Sequence, residues 1–458
     1  MTEKINRYSN YVFKIFLLLI IIFISSDIFL TIDISGATIR FSYILFFFLF
    51  ILWIIYLCLT KNFSIPLDKA FLPLLLFCFI SFISSLNSGF PVKSLIYSLW
   101  TAFSALIILF LIWFAQSNKL DNLDWLLKIY FYSYFVISIF GIYQLLLPFI
   151  IGEKTPLVMQ WWHTYNLARI NGLSFEPSFF ATYMLMGCFI WFILWIRKNE
   201  LVKYKSIIFI TIAFVVVLSS SRIGWIGVAL ILAYGLIEFL GHYSIKKKFT
   251  AQYLKYFISL LVVALFLVIA ILIMVNNKER FQFIFQGTGL FDTSDSSYSL
   301  RFARALQTFQ VFIDKPLNSI LGVGPGGVGA YLFNNPEKFQ IFAPNFEELW
   351  ETEPLNVTAE LLASVGIVGF IIFSWFIVGI FKRLWVLYKN NNLLQKYRTI
   401  CLALFWGLVI ELIILQFNQN YLRPYLWLHI GISIATANSL EHLIKSKDTT
   451  LYVLDKQV

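Results

Sequence analysis

Apolar runs of about 20 residues follow one another along the whole chain, separated by short polar segments. This pattern predicts membrane spans at 11–31, 41–60, 70–87, 94–115, 125–150, 174–196, 206–219, 223–240, 254–275, 356–381, 399–417 and 424–440. Each is of the order needed to cross a hydrocarbon core roughly 30 Å thick. Helices are expected, because an open backbone cannot cross lipid with its polar groups unpaired. The first run, FLLLIIIFISSDIFL, lacks a small-residue cleavage site and reads as a retained span, not a signal peptide. No internal repeat is evident. The only polar segment long enough for a subdomain is 276–353, which divides the chain into 1–275, 276–353 and 354–458.

Composition removes the soluble alternative. Of 458 residues, 60% are hydrophobic and 13% charged, with a mean hydropathy of +0.80. Soluble domains carry about 25% charged residues. The expected fold is all-α and polytopic, with about 12 transmembrane helices and one long extracytoplasmic loop containing amphipathic helices. Cys58, Cys78, Cys188 and Cys401 fall in or beside apolar runs without metal-ligand spacing, so they read as packing residues. No metal or cofactor is expected. The net charge of +11 reflects orientation in the bilayer, not a nucleic-acid partner.

The lysines and arginines set that orientation. With both termini cytoplasmic, RKNELVKYK, HYSIKKK and KRLWVLYKNNNLLQKYR lie inside, together with roughly two-thirds of all basic residues. The arrangement requires residues 206–240 to cross twice, as two short helices meeting at SSSR. A single crossing would place the later basic segments outside.

Several arginines nevertheless remain on the outer face, and they are the leading candidates for chemistry. Arg222, beside Ser221, is an ionisable group at membrane depth, which suggests function unless it only snorkels from a helix end. Arg301 and Arg304 share one face of a helix whose Phe302, Leu306, Phe309 and Phe312 recur at helical spacing. They would meet lipid headgroups or grip a ligand phosphate with guanidinium forks. Glu176, before Pro177, opens a span; it caps that helix, or orients an arginine or a sugar hydroxyl. Glu353 is the favoured general base and His163 its rival, while Arg169, Tyr421, Arg423 and Asn356 complete a substrate-binding set. LGVGPGGVGAYL superficially resembles a phosphate-cradling loop. It lacks the accompanying lysine and reads as a tight turn that lets the chain pack closely.

Taken in order, these motifs resemble the O-antigen ligase and polymerase superfamily. They are FEPSFFA at 175–181, SSSRIGW at 219–225, IDKPLNSILGVGPGG at 313–327 and NVTAELLASVGIVGF at 356–370. The resemblance covers residues 130–430. It implies a glycosyltransferase of the C-type fold class in the bacterial plasma membrane, with its site on the outer face and an undecaprenyl-diphosphate-linked oligosaccharide as substrate. It also implies that Arg222, Arg301 and Arg304 hold the donor diphosphate. Lipopolysaccharide ligases usually carry His-Asn where this chain has Leu355-Asn356, so the resemblance leans to the polymerase branch. A chain-length regulator protein is a further expected partner. The alternatives are a ligase using another acceptor and a small-solute transporter of the inorganic-carbon kind.

Overall fold

The computed structural model describes residues 2–34, 37–61, 63, 68–118, 120–162, 167–219, 221–246, 296–339, 356–418 and 421–446. Among these the chain is all-α apart from two small two-stranded ribbons. Ile32–Ile34 (β1) pairs antiparallel with Ala37–Ile39 (β2), and Trp161–Trp162 (β3) with Leu167–Ala168 (β4). The first nine helices are α1 (Thr2–Ile22), α2 (Phe41–Thr60), α3 (Phe71–Ser85), α4 (Pro91–Gln116), α5 (Asp121–Leu146), α6 (Pro148–Ile151), α7 (Pro177–Ile196), α8 (Lys205–Leu218) and α9 (Arg222–Lys246). Next among the described residues come α10 (Ser296–Asp314), α11 (Pro316–Leu321) and α12 (Val328–Asn334). The chain then continues as α13 (Val357–Lys389), α14 (Gln395–Asn418) and α15 (Pro424–Ser446).

Among the described residues, six helical segments are long and apolar enough to cross a membrane: α2, α4, α5 with α6, α7, α13 and α14. Helices α3 and α8 are apolar but shorter. The protein is therefore an all-α polytopic membrane protein. The predicted spans coincide with helices except at two places. The span expected at 254–275 lies outside the described residues. The first helix starts earlier than expected and stops at Ile22, short of position 31, because the chain turns at Ser25–Asp27 to meet two arginines.

Helix α7 is apolar on every side and buried almost throughout from Phe180 to Leu194. Helix α15 is likewise buried from Pro424 to Ala437. A helix with no polar face belongs inside, and these two are the pillars of the bundle. The outer helices turn residues such as Phe47, Phe79, Ile210 and Trp375 outward, as lipid permits.

The interhelical contacts sort the connections to two ends. At one end Arg383 bonds Asp68 (2.6 Å) and Glu441 (2.8 Å), Arg197 bonds Glu238 (2.7 Å), and Lys396 bonds Asp124 (3.1 Å). The Arg197–Glu238 pair decides the 206–240 question. It joins the end of α7 to the far half of α9, so α8 runs away from that end and α9 returns to it. The predicted hairpin is present, and Gly224 is so near Val216 that an added Cβ would lie 2.9 Å from its carbonyl oxygen. The segments 152–162 and 167–176, α10–α12 and Arg222 occupy the opposite end, the loop end.

In a background lacking native cysteines, Leu86→Cys and Glu337→Cys should react with an impermeant maleimide from one side of sealed vesicles. Glu200→Cys and Asn392→Cys should react only from the other. Labelling of all four from one side would break this two-ended arrangement.

Candidate functional site

Asp27 anchors the loop end. It accepts Arg40 Nε at 2.6 Å and Arg423 Nη1 at 3.0 and 3.1 Å, joining the exit of α1 to the starts of α2 and α15. Its backbone N–H donates to Leu173 O at 2.9 Å, which adds the segment leading into α7. Burial works against charge on Asp27, yet the Arg423 and Arg40 guanidiniums hold its carboxyl below the usual aspartate range. Arg423 also stacks over the Phe179 ring at 4.5 Å, and its side chain is 7% exposed. It was expected to bind substrate; these contacts instead commit it to the junction.

A second construction joins two glycine-containing motifs. Helix α13 is broken at Gly366, whose φ of 66° and ψ of −176° are open essentially only to glycine. The break frees the carbonyls of Ala363 and Ser364, which accept Val323 N–H at 2.8 Å and Gly324 N–H at 2.9 Å. Gly322, with φ 80° and ψ −179°, faces the break from the other side. A Cβ on Gly366 would lie 2.1 Å from Ile320 O, and one on Gly322 would lie 2.3 Å from Ser364 O. The glycines allow two backbones to touch, as a close-packing turn should. Ser84 Oγ donates to Leu321 O, and Asn87 Nδ2 donates to Gly322 O at 2.7 Å, fixing the turn to α3 and the segment after it. Ser94, Tyr97 and the wholly buried Lys93 of α4 pack against Gly324 and Gly326 of the turn.

Helices α10–α12 form a cap with its own small core of Val311, Val323, Val328, Tyr331, Leu332 and Phe339, seated on Ala363 of α13. At its edge, Asp314 accepts Tyr331 Oη at 2.5 Å and Lys338 Nζ at 3.1 Å. The Tyr331 hydrogen bond and the Lys338 charge outweigh partial burial and keep the Asp314 carboxyl below its ordinary range. The apolar stripe of α10 faces outward: Phe302 is 60% exposed and Ile313 58%, whereas Thr308 and Val311 are buried. In water that orientation would be inverted, but here lipid can cover the stripe. Arg304 shares its face with Thr308 and Val311, and so turns toward the protein instead of the headgroups. Arg301 belongs to α10 by its backbone; its side chain lies outside the described residues.

The other candidates divide in the same way. Arg222 is the first residue of α9 and is half-buried, with Ser221 buried beside it. Arg169 donates to Gln160 Oε1 at 2.9 Å, and burial lowers its pKa against the opposing charge of Glu176. Glu176 accepts Ser178 Oγ at 2.7 Å, while Pro177 takes the first helical position as expected. Asn356 was expected to position a sugar. Its Oδ1 instead caps α13 by accepting Ala359 N–H at 2.8 Å, and its Nδ2 donates to Gln416 O at 2.8 Å. Tyr421 presents no face to a sugar either: it is wholly buried against Phe77 and Phe373. Glu353 and His163 lie outside the described residues.

Sequence reading missed three charges at this end, namely Asp27, Lys93 and Glu360. Glu360 is 1% exposed in the first turn of α13 and accepts Tyr421 N–H at 3.3 Å. Each stands at the edge of an apolar run, where a lone charge reads as a solvated helix end. The available signal was the acid within SSDIFL, a costly residue to place inside a span.

No curated protein matches the chain. A family model described as O-Antigen ligase matches residues 207–374, a narrower range than the resemblance at 130–430. This segment contains the α8–α9 hairpin, the α10–α12 cap and the broken first half of α13. Over residues 207–374 the chain is therefore similar to the O-antigen ligase family.

Proposed function

We propose that the protein is a polysaccharide polymerase of the bacterial plasma membrane. It transfers a growing glycan from undecaprenyl diphosphate to a new undecaprenyl-diphosphate-linked repeat unit. The observation that carries this reading is that the family-matched segment brings Arg222 and the Arg304 helix to one end of the bundle, with Arg304 turned inward. The positive-inside rule makes that end extracytoplasmic, because the lysine-rich connections lie at the other. Both termini are then cytoplasmic.

In the proposed reaction the acceptor hydroxyl oxygen attacks the anomeric carbon as the bond from that carbon to the phosphate oxygen breaks. The bonding pair leaves with undecaprenyl diphosphate, and the anomeric configuration inverts. Arg222, Arg301 and Arg304 stabilise the charge that accumulates on the diphosphate. Glu353 takes the hydroxyl proton. Asn356 does not separate the polymerase branch from the ligase branch. Its two hydrogen bonds build the α13–α14 junction, so an asparagine is needed here whether or not a histidine precedes it.

Purified full-length protein given a defined undecaprenyl-diphosphate oligosaccharide should produce a ladder of products. A single addition to another acceptor would identify a ligase, and the absence of glycan transfer would overturn the reading. Arg222→Ala and Arg304→Ala should each lower the rate on the order of 100-fold or more, the scale for removing one preorganised donor to a developing charge. Glu353→Gln should reduce turnover similarly, and near-normal rates would remove it as the base.

A further inference from the structure

The proposed transfer leaves unused a pair of ionisable groups inside the bundle. Glu411 of α14 and His429 of α15 are both 0% exposed, with Nδ1 and Oε2 3.6 Å apart. Glu411 sits about 10 Å, or two helical turns, below the loop end of α14. An ionisable residue at such depth is costly and calls for a stated purpose.

The surrounding hydrogen bonds fix where the protons are. Leu404 O can only accept, so His429 Nε2, 3.0 Å away, carries a hydrogen. Tyr134 Oη donates to Tyr130 Oη at 2.7 Å; of the two acceptors then within reach of the Tyr130 proton, His429 Nδ1 at 2.9 Å is nearer and stronger than the Met186 sulfur at 3.6 Å. The imidazole in this arrangement is neutral and binds α14 through Nε2–H and α5 through Nδ1. The Met186 sulfur of α7 abuts the same Nδ1. Neither oxygen of Glu411 has a hydrogen-bond partner among the described residues. The titratable groups facing it are His429 and Tyr425 from α15, Tyr130 and Tyr134 from α5, and Tyr183 from α7. None of these supplies a fixed positive charge. An ionised carboxylate here would be buried against a neutral ring, and buried groups escape that cost by binding a proton.

We propose that Glu411 and His429 form a proton-binding site within the membrane-spanning bundle, in which a protonated Glu411 lies against a neutral His429 that ties α15 to α5 and α14. The proton keeps the site uncharged. Its loss would place a bare carboxylate where three helices meet, so the site functions as a proton-held joint.

The test uses the full-length wild-type protein, labelled with ¹⁵N-histidine, in lipid nanodiscs. One histidine should show the Nε2–H neutral tautomer, unchanged from about pH 5 to about pH 9, the range in which a free imidazole titrates. His429→Gln should remove that signal. In infrared spectra at neutral pH, Glu411→Gln should remove a protonated-carboxyl C=O band. A His429 signal that titrates across this range, an imidazolium at neutral pH, or a wild-type spectrum lacking the carboxyl band would each overturn the proposal. The wild-type pH series decides even where the variants fail to fold.

Discussion

Gly366→Ala will prevent the loop end from assembling, although it adds a single methyl group. The residue occupies a backbone region that costs other residues about 1–3 kcal/mol. The methyl would also sit 2.1 Å from Ile320 O and 2.3 Å from Ile320 C, and backbone atoms cannot swing aside as a side chain can. Relief requires the glycine turn to lift from α13, which breaks the Val323–Ala363 and Gly324–Ser364 hydrogen bonds together. Gly322→Ala should give the same result from the opposite side. Gly379 supplies the control in the same helix, since an added Cβ there meets nothing within 4 Å. Gly379→Ala should be neutral or stabilising by up to about 1 kcal/mol. Thermal unfolding and limited proteolysis in nanodiscs would separate the two outcomes. A Gly366→Ala protein that melts with the wild type would show that the break in α13 is dispensable.

Asp27→Ala is the second large effect. It leaves Arg40 and Arg423, with side chains 11% and 7% exposed, facing each other without their shared counter-charge. Removing one partner from a buried ion pair typically costs about 3–5 kcal/mol. Lys338→Ala is the comparison. That lysine is 53% exposed, and its pair with Asp314 should contribute no more than about 1 kcal/mol. Equal unfolding temperatures for the two variants would refute the assignment of Asp27 as an anchor. The pH dependence has a definite sign. The folded-state pKa of Asp27 lies below its unfolded value. Its contribution is therefore complete above about pH 3.9 and disappears as pH falls through the lower folded-state pKa. Alkaline conditions should leave it intact.

Span positions were legible in the sequence because a bilayer imposes a length and a polarity on every crossing. The α8–α9 hairpin was legible from charge placement alone, although each arm is short. The end of α1 was not, because the acid that ends it pairs with an arginine far along the chain. Helical spacing in 299–317 correctly marked an amphipathic helix, and its outward apolar face follows once lipid, not water, surrounds it. The contact between the two glycine motifs was hidden for another reason. It is made by backbone atoms, and residue types show only that space is needed, not what fills it. Candidate chemistry was legible as a set of arginines at one end. Which of them serve the architecture became clear only from their partners. Arg423 is held by Asp27, and Arg169 donates to Gln160 beside the charge of Glu176.

The Asp27–Arg423 bond can form only late in synthesis. Its two partners are 396 positions apart, so the ribosome delivers Arg423 long after Asp27 has entered the membrane. Until then the nascent chain has Arg40 to offset that acid, and α1 and α15 are unjoined. A product released before α15 would keep this seam open, whereas a chain that includes α15 can close it.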